Sequence, residues 1–436
     1  MRNIKLYVTA VMLSSSFVQE ALAIPSFSRQ TNMACKSCHA QHAPILNGFG
    51  QAYKAAGYPI LVSQSKIEGE RLSLPGSIYT SLLLKAGYRK SNGADTDIVP
   101  GDSTNSGQWQ APEQFNLSIV GRINENIGFY LEGDIASIQL ISGFRLPATY
   151  NIDIAKLSVI PFMTEIQGAS YGYEQASTGA VRNVRWAEHR KEISAQQYVG
   201  TDGAATGVAF VAQSDIGYIN FSRWAPGFMA RSGEAQTFRS NYLRIAATPT
   251  IGDWASHAGV QVWKGSNFAP SLLVTPLMMP VDTRAAAVDF QATGQVGEKD
   301  LSLYFTWAKS PGGSPSKPNI LNVGNSVSSG NNPVGPADPS LYRVNDRKAW
   351  IIGAEYSWIQ HVLHIGTAYR RANSGGATGS IAGANPTDNA ITLTFVYNIS
   401  QNAQIHLNQS FYSGTLYNTP QPNGDRLTTV IFEASW

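Results

Sequence analysis

From residue 77 to residue 436, apolar and polar side chains alternate with a period of two, the mark of strands with two unlike faces. Leu301, Leu303, Phe305 and Trp307 share one face of 301–309, and Ser302, Tyr304, Thr306 and Ala308 share the other. Phe115, Leu117, Ile119 and Ile123 likewise oppose Asn116, Ser118 and Arg122. Ile391, Leu393, Phe395 and Tyr397 oppose Thr392 and Thr394, while Ile405, Leu407 and Phe411 oppose Gln404, His406, Asn408 and Ser410. A two-sheet sandwich alternates in the same way, so the period alone leaves the architecture open.

The connections decide it. Short turn signals fall near Asn124–Gly128, Pro161–Glu165, Ser214–Gly217, Ile251–Asp253, Gly297–Asp300, Ser357–His361 and Asn398–Asn402. Longer polar stretches, Ser91–Pro112, Gly179–Ala205 and Pro311–Arg347, lie between them. Short turns on one side and long loops on the other are the asymmetry of a bacterial outer-membrane barrel. Aromatic residues near strand ends (Tyr79, Tyr130, Trp254, Trp307, Trp350, Trp358 and Tyr397) suit interfacial girdles. Arg426–Trp436 alternates through Val430, Phe432 and Ala434 to a final aromatic, the type of strand that outer-membrane insertion machinery recognises. Seven short turns with both barrel ends on the turn side give sixteen strands. The expected fold is therefore all-β: a transmembrane antiparallel barrel of about sixteen strands spanning 77–436.

Composition agrees. Charged residues make up 14% of the chain, against roughly 25% in soluble domains. After the N-terminus no apolar run approaches the ~20 residues of a membrane helix, and 43% hydrophobic content argues against disorder. A net charge of +3 gives no reason to expect a nucleic-acid partner. Residues 1–23 read as a signal peptide, with Arg2 and Lys5, an apolar stretch Leu6–Leu13 and a small-x-small site at Ala21-Leu22-Ala23. The mature chain is then expected to start at Ile24 in the periplasm and to end in the outer membrane of a Gram-negative bacterium.

Only two cysteines occur, Cys35 and Cys38, and His39 follows at once. C-x-x-C-H is the attachment pattern of c-type haem: two thiols add to the porphyrin vinyl groups and the adjacent imidazole reaches the iron. A disulfide would leave His39 without a role, and zinc would need two further ligands where no second cysteine pair exists. One covalent haem c is therefore expected on Cys35, Cys38 and His39, with His39 as the metal ligand. Beyond it, Leu46, Phe49 and Tyr53 recur at helical spacing, with Pro44 near the start, Gly57 as a C-terminal cap and Pro59 just outside. The segment 24–76 is lean for a cytochrome domain with its own core, so a surrounding wall is expected to support it.

The run Ile24-Pro25-Ser26-Phe27-Ser28-Arg29-Gln30-Thr31-Asn32-Met33-Ala34-Cys35, continuing through His39 to Pro44, Leu46-Asn47, Phe49-Gly50, Lys54 and Gly57-Tyr58, resembles the fused monohaem cytochrome–porin family of outer-membrane iron oxidases. The match covers some thirty-five residues. Ser28 and Asn32 stand where the family usually has Ala and Gly, and Gln51 and Tyr53 where it has Arg and Phe. The resemblance implies an electron-transfer protein whose haem accepts electrons from extracellular Fe(II) and passes them to a periplasmic c-type cytochrome, with outer-membrane lipid around the barrel. Iron oxidation of this kind is outer-sphere, and Asp95, Asp97 and Asp102 read as a solvated loop surface rather than an iron site.

A second axial ligand is left open among Met33, His42 and three inward-register histidines near turns, His257, His364 and His406. Met33 and His42 lie so close to the attachment run that reaching the opposite haem face would strain the chain. Two other functions fit the same residues: a passive diffusion porin with a haem tether, and a haem conduit for another extracellular donor or acceptor. A peroxidase fits poorly, because no distal acid–base cluster is evident in the loops.

Overall fold

The computed structural model describes residues 25–43, 45–55, 66–69, 73–93, 105–124, 126–136, 139–164, 168–169, 190–227, 237–270, 278–314, 316–322, 345–376, 385–421 and 423–436. The signal peptide, Pro44, Gly57, Pro59 and the aspartates at 95, 97 and 102 lie outside them.

Consecutive strands pair antiparallel and the last pairs with the first, which closes the sheet into a barrel. The strands are β1 (Tyr79–Ser91), β2 (Gln108–Arg122), β3 (Gly128–Asp134), β4 (Gln139–Arg145 continued by Ala148–Ile152), β5 (Ala155–Thr164), β6 (Ala205–Ser214), β7 (Gly217–Pro226) and β8 (Ser240–Ala247 continued by Thr250–Ile251). They continue as β9 (Trp254–Lys264), β10 (Ala285–Val296), β11 (Lys299–Ser310), β12 (Arg347–Ile359), β13 (Leu363–Asn373), β14 (Asn389–Ser400), β15 (Ala403–Ser413) and β16 (Arg426–Ser435). β4 and β8 each count once, because both halves of each pair with the same neighbour. The sixteen-strand expectation holds.

Burial gives the wall its polarity. On β10, Val288 and Phe290 are 40% and 41% exposed on the outside, while Asp289 and Gln291 are 1% and 3% exposed on the inside. Thr392 and Thr394 face inward on β14 and Ile391, Leu393, Phe395 and Tyr397 face outward, as the alternation predicts. The arrangement is inverted relative to a soluble barrel: an apolar outside and a polar lumen, the two-faced wall that a lipid-spanning barrel requires. Ring closure also leaves no edge strand to pair elsewhere. At the seam Trp436 exchanges backbone hydrogen bonds with Leu82, at 3.0 and 2.8 Å, and its ring lies 6.2 Å from Phe115.

Six of the seven expected short turns appear where the sequence puts them, and one does not. Pro161 lies inside β5, and the turn comes earlier, at Asp153 and Ile154. Pro161 is tolerated there because its missing N–H falls opposite a break in β4, at Leu146 and Pro147. Its carbonyl still accepts the Leu146 N–H, at 3.0 Å. Two other expectations are corrected. Pro112 belongs to β2 rather than to the loop before it. Tyr130 is buried and faces the lumen, stacked on Phe27 at 6.3 Å, rather than standing in an outer girdle.

Among the described residues, two helical inserts occupy the lumen. From the turn end comes the N-terminal plug, with helices α1 (Pro25–Thr31) and α2 (Gly48–Ala55). The long connection between β5 and β6 supplies α3 (Arg190–Ile193) and α4 (Ala195–Val199), where Ile193, Ala195, Gln196, Tyr198 and Val199 are all buried. A hydrogen bond from Ala195 N–H to Thr306 Oγ1, 3.1 Å, ties α4 to β11.

If the outer wall meets lipid, Phe395→Arg near the middle of β14 should cost about 2–4 kcal/mol. Urea titration of the protein in lipid vesicles measures it, and Thr394→Ser on the lumen side of the same strand should change little.

Candidate functional site

The plug is built from short local devices. α1 docks on β1 through Ser26 Oγ and Ser81 Oγ, 2.8 Å apart, and through the Arg29 guanidinium on the Thr80 carbonyl, 2.6 Å. Cys35–Ser37 forms a single 3-10 turn, and the N–H groups of Cys38 and His39 both donate to the Cys35 carbonyl, at 2.9 and 2.8 Å. The chain returns through a bridge between His39 and Leu46. Asn47 then serves both neighbours. Its amide donates to the Ser37 carbonyl at 3.1 Å, and its carbonyl accepts the Gly50 N–H at 2.9 Å, as an N-cap of α2. Gly50 is required at its position, because a Cβ there would collide with the Cys38 carbonyl. Gly48, the first residue of α2, sits against Ala255 on β9.

The expected helix is therefore present but begins after Leu46. Of the predicted stripe, Tyr53 is buried, donating to Gln30 Oε1 at 3.1 Å, while Phe49 is 42% exposed and stacks on Tyr53.

The structure brings Cys35, Cys38 and His39 into one turn. Both cysteines are free thiols. Burial pushes Cys35 up to about 12, against a lowering from the Ser28 hydroxyl 3.6 Å away, and burial also raises Cys38. Burial lowers His39 to about 4, so its ring is neutral at pH 7. Its Nδ1 lies 3.3 Å from the Ile45 carbonyl, which can only accept. Nδ1 must therefore carry the proton, and Nε2 keeps the lone pair. Two protonated thiols three positions apart and a neutral imidazole with a free Nε2 lone pair form the donor set that a thioether-linked haem takes, so the residues fit that group. Among the described residues, no three His, Cys, Asp or Glu side chains converge on a position that would hold a metal ion.

The barrel grips the loop that follows. Gln41 donates to the Glu355 carbonyl at 2.6 Å and accepts from Ser302 Oγ at 2.6 Å, and Gln404 donates to the Ala43 carbonyl at 3.2 Å. His42 Nε2 stands 2.7 Å from Glu355 Oε1, both fully buried, and His42 Nδ1 meets the Ala43 carbonyl at 2.7 Å. The rings of His364 and His406 each lie 5.5 Å from His42. His364 Nδ1 meets Ser357 at 3.0 Å and its Nε2 meets Asn398 at 3.0 Å. Of the open axial candidates, three histidines thus converge, with both nitrogens of His42 and of His364 already engaged. His257 stands on β9, outside this cluster, with Nδ1 buried and unpartnered. Met33 lies in the stretch between α1 and the 3-10 turn.

Sequence reasoning missed Gln41 of the plug and its surroundings on the wall, Ser302, Glu355, Asn398 and Gln404. Inward polar residues near a turn are ordinary lumen lining, and nothing in one strand shows which of them meets a plug. The α3–α4 insert was missed too, although Ser194-Ala195-Gln196-Gln197 is a capping-box spacing closed by Gly200. In the structure Ser194 Oγ accepts from Gln197 N–H, and Gly200 takes a left-handed φ of 106°. α4 presents Tyr198 between two guanidinium groups, Arg347 at 4.4 Å and Arg370 at 4.6 Å from its ring. Its hydroxyl donates to Asp388 at 3.0 Å, and Arg370 bonds the same carboxylate at 2.5 Å.

No family model matches the sequence, and no curated protein does. Among solved structures the fold is similar to OmpT of Vibrio cholerae, 12% identical over 85% of this chain and all of that one, TM-score 0.46. It is also similar to OmpF of Salmonella typhi in complex with daunomycin, 9% identical over 85% of this chain and all of the other, TM-score 0.47. The outer-membrane channel DcaP of Acinetobacter baumannii matches at 12% identity with the same coverage, TM-score 0.44.

Burial lowers the proton affinity of His42, but the Glu355 carboxylate more than restores it and leaves the value above the ordinary 6.5. The His42–Glu355 contribution to docking should accordingly be complete below about pH 6.5 and fall away as pH rises through the raised value. Glu355→Gln should weaken docking by up to about 3 kcal/mol and flatten that pH dependence. Amide-exchange protection of residues 35–47, corrected for intrinsic rates, reads both effects.

Proposed function

We propose that this chain is an outer-membrane electron-transfer protein that takes electrons from extracellular Fe(II) and delivers them to a periplasmic c-type cytochrome. One covalent haem c would be held by Cys35, Cys38 and His39. The observation that carries this reading is the docking of a C-x-x-C-H turn inside a closed lipid-facing barrel, at the end where the strands join by short turns. When bound, the haem supplies a one-electron centre that needs no proton transfer and no iron-binding site of its own.

The residues of the chain support that role in separate ways. Cys35 and Cys38 supply protonated thiols for thioether links, and the Ile45 carbonyl fixes the His39 tautomer so that Nε2 is the ligating atom. Gln41, His42 and Ala43 pin the loop to β11, β12 and β15. The turn end then faces the periplasm, where a soluble cytochrome can approach, and the long loops face outward. Between plug and loops the spacing is small. Ser302, which meets Gln41, and Thr306, which meets α4, are four residues apart on one face of β11, about 13 Å at the rise of a strand. The iron is a substrate that reacts by outer-sphere contact.

A diffusion porin with a haem tether is the rival, and two buried inserts in one lumen speak against a wide channel. The test uses the full chain matured with c-type haem machinery, in isolated outer membranes. Addition of Fe(II) should bring up the reduced c-type absorption bands promptly. Covalent haem that dithionite reduces and Fe(II) does not would remove iron as donor, and no covalent haem would overturn the reading. Cys35→Ala should leave at most one thioether, through Cys38, and Cys35→Ala/Cys38→Ala should abolish covalent haem in a denaturing gel. In planar bilayers the wild-type protein should conduct far less than an open sixteen-stranded channel, and a large steady conductance would favour the porin.

A further inference from the structure

The loop end of the outer wall carries a cationic cluster that neither the barrel nor the plug uses. Lys309 of β11 and Lys348 of β12 are directly opposite each other on the outer face. Like charges in that position destabilise a strand pair unless something compensates. Arg371 of β13 stands opposite Trp350, one step along the same face and diagonal to Lys348. Lys348 and Arg371 are exposed. One carboxylate joins the group: Asp346 takes Lys309 at 2.6 Å, and its carboxyl is held below the usual range by that bond, with Lys348 contributing. Among the described residues, three cations against this one anion leave a local charge of +2.

Next to the charges toward the middle of the wall, Trp307 faces Trp350, and Tyr369 packs edge-on to Trp350 at 5.4 Å. Beyond them come Ile352 and Leu303, 54% and 38% exposed. Charge, then aromatic rings, then aliphatic side chains follow one another down three adjacent strands, the order of an amphiphile with an anionic head and hydrocarbon tails. The opposite end of the same wall differs. There Trp358 and Ile359 are exposed, and Lys299 is folded back onto the Trp358 carbonyl at 2.9 Å, between Glu298 and Asp300 in sequence.

We propose that the β11–β13 face binds a phosphate-bearing lipid of the outer leaflet, its phosphate among Lys309, Lys348 and Arg371 and its chains over Trp307, Trp350 and Ile352. A guanidinium beside two ammonium groups suits a dianionic phosphate, which one arginine can hold with two parallel hydrogen bonds. The bound phosphate relieves the Lys309–Lys348 repulsion and fixes the rotation of the barrel against its lipid. The proposal rests on the outer-membrane reading.

Native mass spectrometry of the full chain in detergent, titrated with a bisphosphorylated glycolipid and with its dephosphorylated form, tests it. The wild-type protein should prefer the phosphorylated lipid. The variant Lys348→Gln/Arg371→Gln should lose about twentyfold in affinity for it and keep its affinity for the dephosphorylated form. Lys348→Arg/Arg371→Lys should stay within about threefold of wild type. Heat-modifiable migration in gels checks that each variant is folded. Equal retention of the two lipids, an unaffected Gln variant, or displacement of the lipid by millimolar inorganic phosphate would overturn the proposal. The last outcome would mark a site for free anions. Insertion of the wild-type protein into phosphatidylcholine vesicles separates the two levels. A barrel that inserts without phosphate preference loses this site alone, whereas one that enters no vesicle loses the membrane reading as well.

Discussion

A wall in contact with hydrocarbon must pair every backbone donor and acceptor within itself, and a closed ring of strands is one of the two solutions available. The rest of this molecule follows from that closure. Because β16 returns to β1, the strand count is even and both barrel ends fall on the turn side. That is where a segment preceding β1 can enter the lumen, as the plug does. The register also shifts between β1 and β2, β3 and β4, β12 and β13, and β14 and β15, and two breaks fall at prolines: Leu146-Pro147 opposite Pro161, and Thr248-Pro249 in β8. In the second case the Pro249 carbonyl still accepts the Ser256 N–H at 3.0 Å, and the Thr248 N–H still donates to the Ile216 carbonyl at 3.0 Å.

Closure fixes the exterior and leaves the interior to be solved separately. With the middle of the outer face apolar, the polar side chains of that band point into the lumen, where the inserts are seated. Charges there need partners close by, and they have them. Arg244 bonds Asp289 at 2.5 Å with both side chains fully buried, and Arg370 reaches both Asp388 and Glu192. Arranged this way, the charges hold inserts in register more than they add stability, since desolvation offsets much of the attraction in a buried pair. The same account applies to His42 and Glu355. Removing either partner strands the other in a site built for two.

How much of this was legible depends on the length of the pattern each feature leaves. Phe395 and its neighbours alternate over a whole strand, and a one-residue error would turn the strand inside out, so faces and strand count were readable. Cys35, Cys38 and His39 carry their own spacing, so their place in one turn was readable too. Pro161 misled because a proline is a turn signal by itself, and its tolerance inside β5 depends on a break in a different strand. Tyr130 misled because an aromatic residue near a strand end suits a lipid interface and a lumen contact equally well. Only the position of Phe27, about a hundred residues away, selects the second. Glu355 and Gln404 left no local trace at all, since their partners in the plug are separated from them by most of the barrel.

Residues 25–55 are too few to bury a core of their own. The plug consists of two short helices, one 3-10 turn and a loop, and its buried polar groups find their partners largely on the wall: Ser26 on Ser81, Gln41 on Ser302 and Glu355, His42 on Glu355. It is therefore not a cytochrome domain that happens to be tethered to a barrel, because the barrel completes its fold. A group held by Cys35, Cys38 and His39 would sit in an environment set by β11 to β15 as much as by its own segment. Its redox behaviour would respond to Glu355, His364 and His406. Wall and plug are thus constrained to change together. A sequence alteration on a strand more than three hundred residues from the cysteines acts on the same site as one beside them.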